Sequence, residues 1–135
     1  MNENIETVKS TYAAFGRGDI PGVLELLSPE IDWTIPGPPK VIPYAGHHKG
    51  REDVGKFFAS LGMSEDVRKF EAREFFAQDN TVVVLGHYHA HVKATGREYN
   101  YDWAHVFTLR KGHVTKFREY SDTAAAVEAY FPCRS

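Results

Sequence analysis

Tyr99-Asn100-Tyr101-Asp102-Trp103-Ala104-His105-Val106-Phe107-Thr108-Leu109-Arg110-Lys111-Gly112-His113-Val114-Thr115-Lys116-Phe117-Arg118-Glu119-Tyr120-Ser121 is the stretch that decides how this chain is read. Successive side chains of a strand point to opposite faces. Tyr99, Tyr101, Trp103, His105, Phe107 and Leu109 therefore share one face, and Asn100, Asp102, Ala104, Val106 and Thr108 share the other. Lys111-Gly112 is a turn signal, and the strand after it places Thr115, Phe117, Glu119 and Ser121 opposite the aromatic row. A tight hairpin here sets Trp103 near Glu119 and Tyr101 near Ser121. A slip of one residue would reverse a whole face, so the aromatic parity itself argues for this pairing. The consequence is a carboxylate on an otherwise aromatic concave surface.

Upstream, residues 80–92 alternate in the same way. Val82, Val84, Gly86, Tyr88, Ala90 and Val92 form one face, and Val83, Leu85, His87, His89 and His91 the other. Residues 67–78 read as a further strand, joined through Asp79-Asn80, and Thr95-Gly96 marks the next turn. Asp122 is placed to cap a closing helix over Thr123 to Ala129, stopped by Pro132. The first part of the chain is helical. Ile5, Val8, Tyr12 and Phe15 recur at helical spacing up to Gly16, and Asp19 caps a short second helix carried through Leu24 and Leu27. Residues 31–35 form a short strand, residues 36–50 a Pro/Gly-rich loop, and Arg51 to Leu61 a third helix. Helices followed by an antiparallel meander predict an α+β domain with helices on one face of a curved sheet, enclosing an apolar pocket.

The chain has 135 residues, 42% hydrophobic and 25% charged, which predicts one globular domain over 1–135. A net charge of −2 with scattered basic residues offers no footprint for nucleic acid. No apolar run is long enough to predict a membrane span. The polar, acidic start lacks the pattern of a secretion signal, so a cytoplasmic location is expected. The one cysteine, Cys133, has neither a disulfide partner nor a neighbouring base in the sequence, and it is read as inert. No dinucleotide or phosphate-loop motif is present, so no cofactor is expected.

Further segments carry a resemblance. They are Gly16-Arg17-Gly18-Asp19, Leu24-Glu25-Leu26-Leu27-Ser28-Pro29-Glu30-Ile31-Asp32-Trp33, Gly46-His47-His48-Lys49-Gly50-Arg51-Glu52, Val106 to Val114 and Phe117 to Asp122. With these the chain resembles the nuclear-transport-factor-two-like superfamily, in its SnoaL-like and ketosteroid-isomerase-like branch, over nearly its whole length. The resemblance implies a conical α+β barrel of three to four helices and a curved mixed or antiparallel sheet around a deep apolar pocket. It also implies a homodimer through the convex face. The last strand is similar to that of limonene-epoxide hydrolases, whose water-activating aspartate matches Glu119. That family's arginine and second aspartate fall at Gly86 and Tyr88, which argues against the same epoxide chemistry here.

Glu119 is the candidate general acid/base, because it is the carboxylate that parity sets among aromatics, where lost hydration favours proton transfer near neutrality. Tyr88, Tyr101 and His105 are candidate oxyanion donors, or structurally satisfied groups. Trp33, Phe57, Phe75, Trp103, Phe117 and Ser121 are candidate substrate-binding residues. Tyr44 joins them from the long loop, where it, His47 and His48 either close over a ligand or face solvent. The His87, His89, His91 row has no carboxylate pair or thiol to complete a compact metal site, so no metal is expected. His87, His89, Asp102, Arg118 and Tyr120 are read as dimer contacts, with His87 or His89 opposite Asp102. Two functions remain open. One is an acid–base isomerase, cyclase, dehydratase or hydrolase acting on a small apolar cyclic, polyketide- or steroid-like substrate. The other is a non-catalytic ligand-binding or dimerisation module.

Overall fold

The computed structural model describes residues 2–132. Cys133 lies outside the described residues. The elements run α1 (Glu3–Gly16), α2 (Ile20–Glu25), β1 (Leu27–Ile35), β2 (Gly46–Lys49), α3 (Arg51–Ser64), β3 (Glu65–Gln78), β4 (Thr81–Val92), β5 (Glu98–Arg110), β6 (His113–Ser121) and α4 (Thr123–Ala129).

Local chemistry explains the helix starts. Asn2 Oδ1 accepts from the amides of Asn4 and Ile5 at 2.9 and 3.1 Å, Asp19 Oδ1 from Gly22 at 3.0 Å, and Asp122 Oδ1 from Ala125 at 3.1 Å. The second helix is shorter than expected. It ends at Glu25, and Leu27 already begins β1. The loop over residues 36–50 likewise contains β2, which pairs antiparallel with β1 (Thr34 with His47, Trp33 with His48).

The six strands form one curved mixed sheet in the order β2-β1-β6-β5-β4-β3, with β1 parallel to β6 and the other neighbours antiparallel. The α+β class is as expected, but the sheet is not a closed barrel: β2 and β3 remain its two edges. α1 packs on β3 and β4, α3 on β1 and β2, and α4 on β5. No helix among the described residues is long and apolar enough to cross a membrane.

Register is where the structure departs most from the sequence reading. Lys111 and Gly112 both have positive φ, the conformation of a two-residue hairpin turn, and Arg110 faces His113 across it. Beyond Leu109–Val114 the pairing shifts, so that Trp103 faces Ser121 and His105 faces Glu119. The expected partners are thus displaced by two residues, which preserves the faces and changes the neighbours. Thr115 is the extra residue of this bulge. It was expected inside, but Val114 takes the buried position, while the Thr115 hydroxyl donates to the Thr108 carbonyl at 3.2 Å. β3 carries two more bulges, where Arg68 and Arg73 drop out of the pairing with β4. Each one reverses the inward face. As a result Ala77 and Phe75, then Ala72 and Phe70, then Val67 and Glu65 stand opposite inward residues of β4.

Candidate active site

The concave face of β4, β5 and β6 and the inner sides of α1 and α3 surround a cavity of about 80 Å³. Twelve of its eighteen lining residues are aromatic, and none is Lys or Arg. Trp33, Tyr44, Phe57, Tyr88, Tyr101, Trp103, His105, Phe117 and Glu119 all lie in this wall. Phe75 does not; it packs edge-on to Tyr12 and under the Lys9 ammonium. Ser121 stands just behind the wall, where its hydroxyl donates to Glu119 and lies beside Tyr101.

Gly86 makes room for this arrangement. A Cβ there would fall 2.1 Å from the Glu71 carbonyl oxygen and 2.3 Å from Trp103 Cζ2. Across the β4–β5 pair Gly86 faces Trp103, so the indole lies over bare backbone. The ring of Trp103 stacks on His105, two residues along the same face, at 3.8 Å between centroids and 14° between planes. Trp33 stacks on Phe117 at 3.9 Å and 20°.

A hydrogen-bonded chain runs along one side of the cavity. Tyr12 Oη is 2.7 Å from His105 Nδ1, and His105 Nε2 is 3.0 Å from Glu119 Oε1. Ser121 Oγ donates to Glu119 Oε2 at 3.0 Å. The His105 side chain is 5% exposed and that of Glu119 16% exposed. Burial lowers the pKa of His105 below its ordinary 6.5, and the Glu119 carboxylate only partly opposes this. The ring is therefore neutral at pH 7. In that state Nε2–H donates to Glu119, and Nδ1 accepts from the Tyr12 hydroxyl. The order is that of a carboxylate, an imidazole oriented by it, and a hydroxyl on the far nitrogen.

A second network was missed by the sequence reading. Glu65, only 3% exposed, receives the hydroxyls of Tyr44 (2.7 Å), Tyr88 (2.6 Å), Tyr99 (2.9 Å to each oxygen) and Tyr130. An ionised carboxylate offers about four lone-pair sites, so four phenols saturate it without a cation. The phenol pKa values of Tyr44, Tyr88, Tyr99 and Tyr130 are all raised, first by burial. Tyr88, named above as an oxyanion donor, has its single proton committed to Glu65. The only sequence signal for Glu65 was an acidic residue at a helix–strand junction. The two β3 bulges reverse parity twice, so Glu65 shares the parity of Phe75, and what no local pattern announces is that the strand begins at Glu65 and that four tyrosines meet there.

The loop residues divide. Tyr44 is buried and lines the cavity, His48 packs on Phe57 and donates from Nε2 to the Tyr44 carbonyl at 2.9 Å, and His47 turns outward to Asp32. The convex face carries histidine–carboxylate hydrogen bonds. His87 Nδ1 is 2.9 Å from Asp102 directly across the β4–β5 pair, and His89 is 2.7 Å from Glu98. Arg118 lies over the ring of Tyr120. His91 stands 3.4 Å from Asp66. Among the described residues no three His, Cys, Asp or Glu converge as a metal site.

Known proteins place this geometry in context. The SnoaL-like domain pattern matches residues 8–117. A crystal structure of an NTF2-like protein from Burkholderia xenovorans is 37% identical, covers 96% of each chain and superposes with a TM-score of 0.87. The structure of TerC co-crystallised with polyporic acid is 28% identical over 96% of this chain and 98% of that one, with a TM-score of 0.85. An uncharacterised protein of Mycobacterium tuberculosis is 22% identical over 95% of both chains. A pattern match over most of the length, together with the 37% identical neighbour, means that the chain belongs to the SnoaL-like domain family of the NTF2-like superfamily.

Proposed function

We propose that this protein is an acid–base enzyme that needs no cofactor and acts on a small, flat, apolar substrate. The reaction class is isomerisation, cyclisation, dehydration or hydrolysis initiated by proton transfer. The observation that carries this reading is the 3.0 Å contact between His105 and Glu119 inside an aromatic cavity. Glu119 holds the imidazole in one tautomer and stabilises the imidazolium that forms when His105 takes a proton. Nδ1 is the accepting atom, reached directly when Tyr12 moves aside or through the Tyr12 hydroxyl as a relay. Desolvation strengthens each of these interactions. The co-crystallisation of TerC, 28% identical to this chain, with polyporic acid supports a small-molecule ligand.

The ordinary ligand site is roughly 300–1,000 Å³, so a ligand of more than one or two rings must displace side chains from the 80 Å³ present. Tyr12, Phe15, Phe58, Leu61 and Phe70 are the half-buried lining residues contributed by α1, α3 and β3, and they set the mouth between these elements.

Incubation with 2-tetralone in D₂O, followed by mass spectrometry of the ketone, tests proton abstraction without knowledge of the natural substrate. Exchange at the α-carbon is expected, slowed by ~10²–10⁴-fold in Glu119→Gln and in His105→Gln. Exchange that is absent, or unchanged in both variants, removes the catalytic reading. The competing reading is a binding module with the same cavity. It draws on the fact that both His105 nitrogens and both Glu119 oxygens already have partners. It predicts saturable binding of the ketone with no exchange.

A further inference from the structure

The polar groups of the cavity wall are nearly all committed to one another. Tyr12 donates to His105, Tyr44 and Tyr88 donate to Glu65, Thr11 donates to the Thr7 carbonyl, and Glu119 accepts from His105 and Ser121. The Tyr101 hydroxyl lies beside Ser121 and Tyr99, and two nitrogen donors stand apart. The indole Nε1 atoms of Trp33 and Trp103 are buried and have no hydrogen-bond partner among the described residues. Both residues line the cavity, at 5% and 3% exposure. A buried N–H without an acceptor costs about 1–3 kcal/mol, and native structures carry few of them. Two of them on residues that line one small apolar cavity therefore call for an acceptor that the described residues do not supply and that reaches them when neighbouring side chains move aside.

We propose that the indole N–H groups of Trp33 and Trp103 are the ligand-anchoring donors of this site, and that the ligand class is a flat apolar carbonyl compound or its enolate. The placement suits the chemistry. Trp103 stacks on His105, so an oxygen held at its edge sits beside the imidazole that removes a proton from the neighbouring carbon. Negative charge that develops on that oxygen is then met by an N–H in a water-poor cavity, where such donors act most strongly. Trp33 stacks on Phe117 of β6 and serves a second acceptor oxygen when the ligand carries one. The wall has no Lys or Arg among the described residues and includes Glu119. It therefore favours a neutral carbonyl over a carboxylate or phosphate ligand.

The inference rests on the reading of the cavity as a substrate site, but its test does not depend on turnover. The chain has two tryptophans, so its ¹H–¹⁵N spectrum holds two indole resonances, which Trp33→Phe and Trp103→Phe assign. Titration with 1-indanone is compared with titration by indane, the same frame without the oxygen. The expected result is a downfield shift of the Trp103 indole proton with 1-indanone alone. Trp103→Phe should weaken 1-indanone binding about tenfold more than it changes indane binding, the effect of one hydrogen bond to an otherwise unpaired donor. The wild-type titration stands even if a variant folds poorly. Equal indole shifts with both compounds, or no binding of 1-indanone, would overturn the proposal. Downfield indole shifts in a protein that catalyses no 2-tetralone exchange would keep the anchoring donors and discard the enzyme.

Discussion

The two faces of the sheet treat their polar groups in opposite ways. On the concave face the carboxylates Glu65 and Glu119 are met by phenols, an imidazole and a serine hydroxyl, with no Lys or Arg in contact. On the convex face His87 and His89 meet Asp102 and Glu98 by hydrogen bonds and Arg73 pairs with Glu71, with the Asp102 side chain 82% exposed. Water replaces a lost partner on the outer face and cannot on the inner one, so equal substitutions should have unequal effects. The inner networks also hold distant segments together. Glu65 gathers the loop before β2 through Tyr44, β4 through Tyr88, β5 through Tyr99, and the residue after α4 through Tyr130.

The largest expected effect is therefore at Glu65. Replacing it with Ala leaves four phenols without their acceptor and should cost about 3 kcal/mol or more of stability by urea unfolding. A loss below about 1 kcal/mol would mean that the interior is wet enough to replace the carboxylate. Next is Gly86→Ala, where the added methyl meets backbone on one side and Trp103 on the other. A loss of about 1–3 kcal/mol is expected, together with a change in tryptophan fluorescence. An unchanged spectrum would show that the indole does not need the bare backbone.

The faces should also separate on pH. His105 is held below its ordinary 6.5 by burial. Above that pH it is neutral in both folded and unfolded chains and contributes no pH dependence. Below it the unfolded chain takes up a proton that the folded chain refuses, so stability falls with pH until the lowered folded value is passed. His105→Gln should flatten this acid limb between about pH 6.5 and its lower end. At the alkaline end Tyr12, Tyr44, Tyr88, Tyr99, Tyr101 and Tyr130 all have phenol pKa values raised above 10.0, mainly by burial. Their stabilising effect is complete below 10.0 and is lost as the unfolded chain ionises above it, so thermal melting followed to high pH should show a steep decline. A melting temperature flat across both ranges would contradict the burial of these groups.

The smallest effect is expected outside. Asp102→Asn breaks the His87 pair on an exposed surface and should change monomer stability by less than about 0.5 kcal/mol. We also propose that this face, with His87, His89, Asp102, Arg118 and Tyr120, is where two copies meet. Leu85 and Tyr120 add apolar area at 36% and 51% exposure. Sedimentation of wild type and Asp102→Asn at several protein concentrations distinguishes the cases. A dimer weakened by the substitution supports the contact, and a monomer at all concentrations rules it out.

The sequence by itself determined which way the side chains of β4 and β5 point, since the pleat encodes that with a period of two residues and no bulge interrupts their pairing. It also determined the Lys111-Gly112 turn and the Asp19 and Asp122 caps, because these depend on one or two neighbouring residues. Glu119 among the aromatics followed from the same local logic, since a displacement by two residues keeps the face. Its partner did not. That His105 rather than Trp103 stands opposite Glu119 depends on the bulge at Thr115, and bulges are set by how a whole strand fits its neighbours. Tertiary structure alone decided the three arrangements on which the chemistry turns. Tyr12 reaches His105 from a helix 93 residues earlier in the chain. Four tyrosines from separate segments converge on Glu65. The two indole N–H groups are buried by packing with no acceptor among the described residues. Local periodicity tells a residue which side it faces, and only the packed chain determines what it finds there.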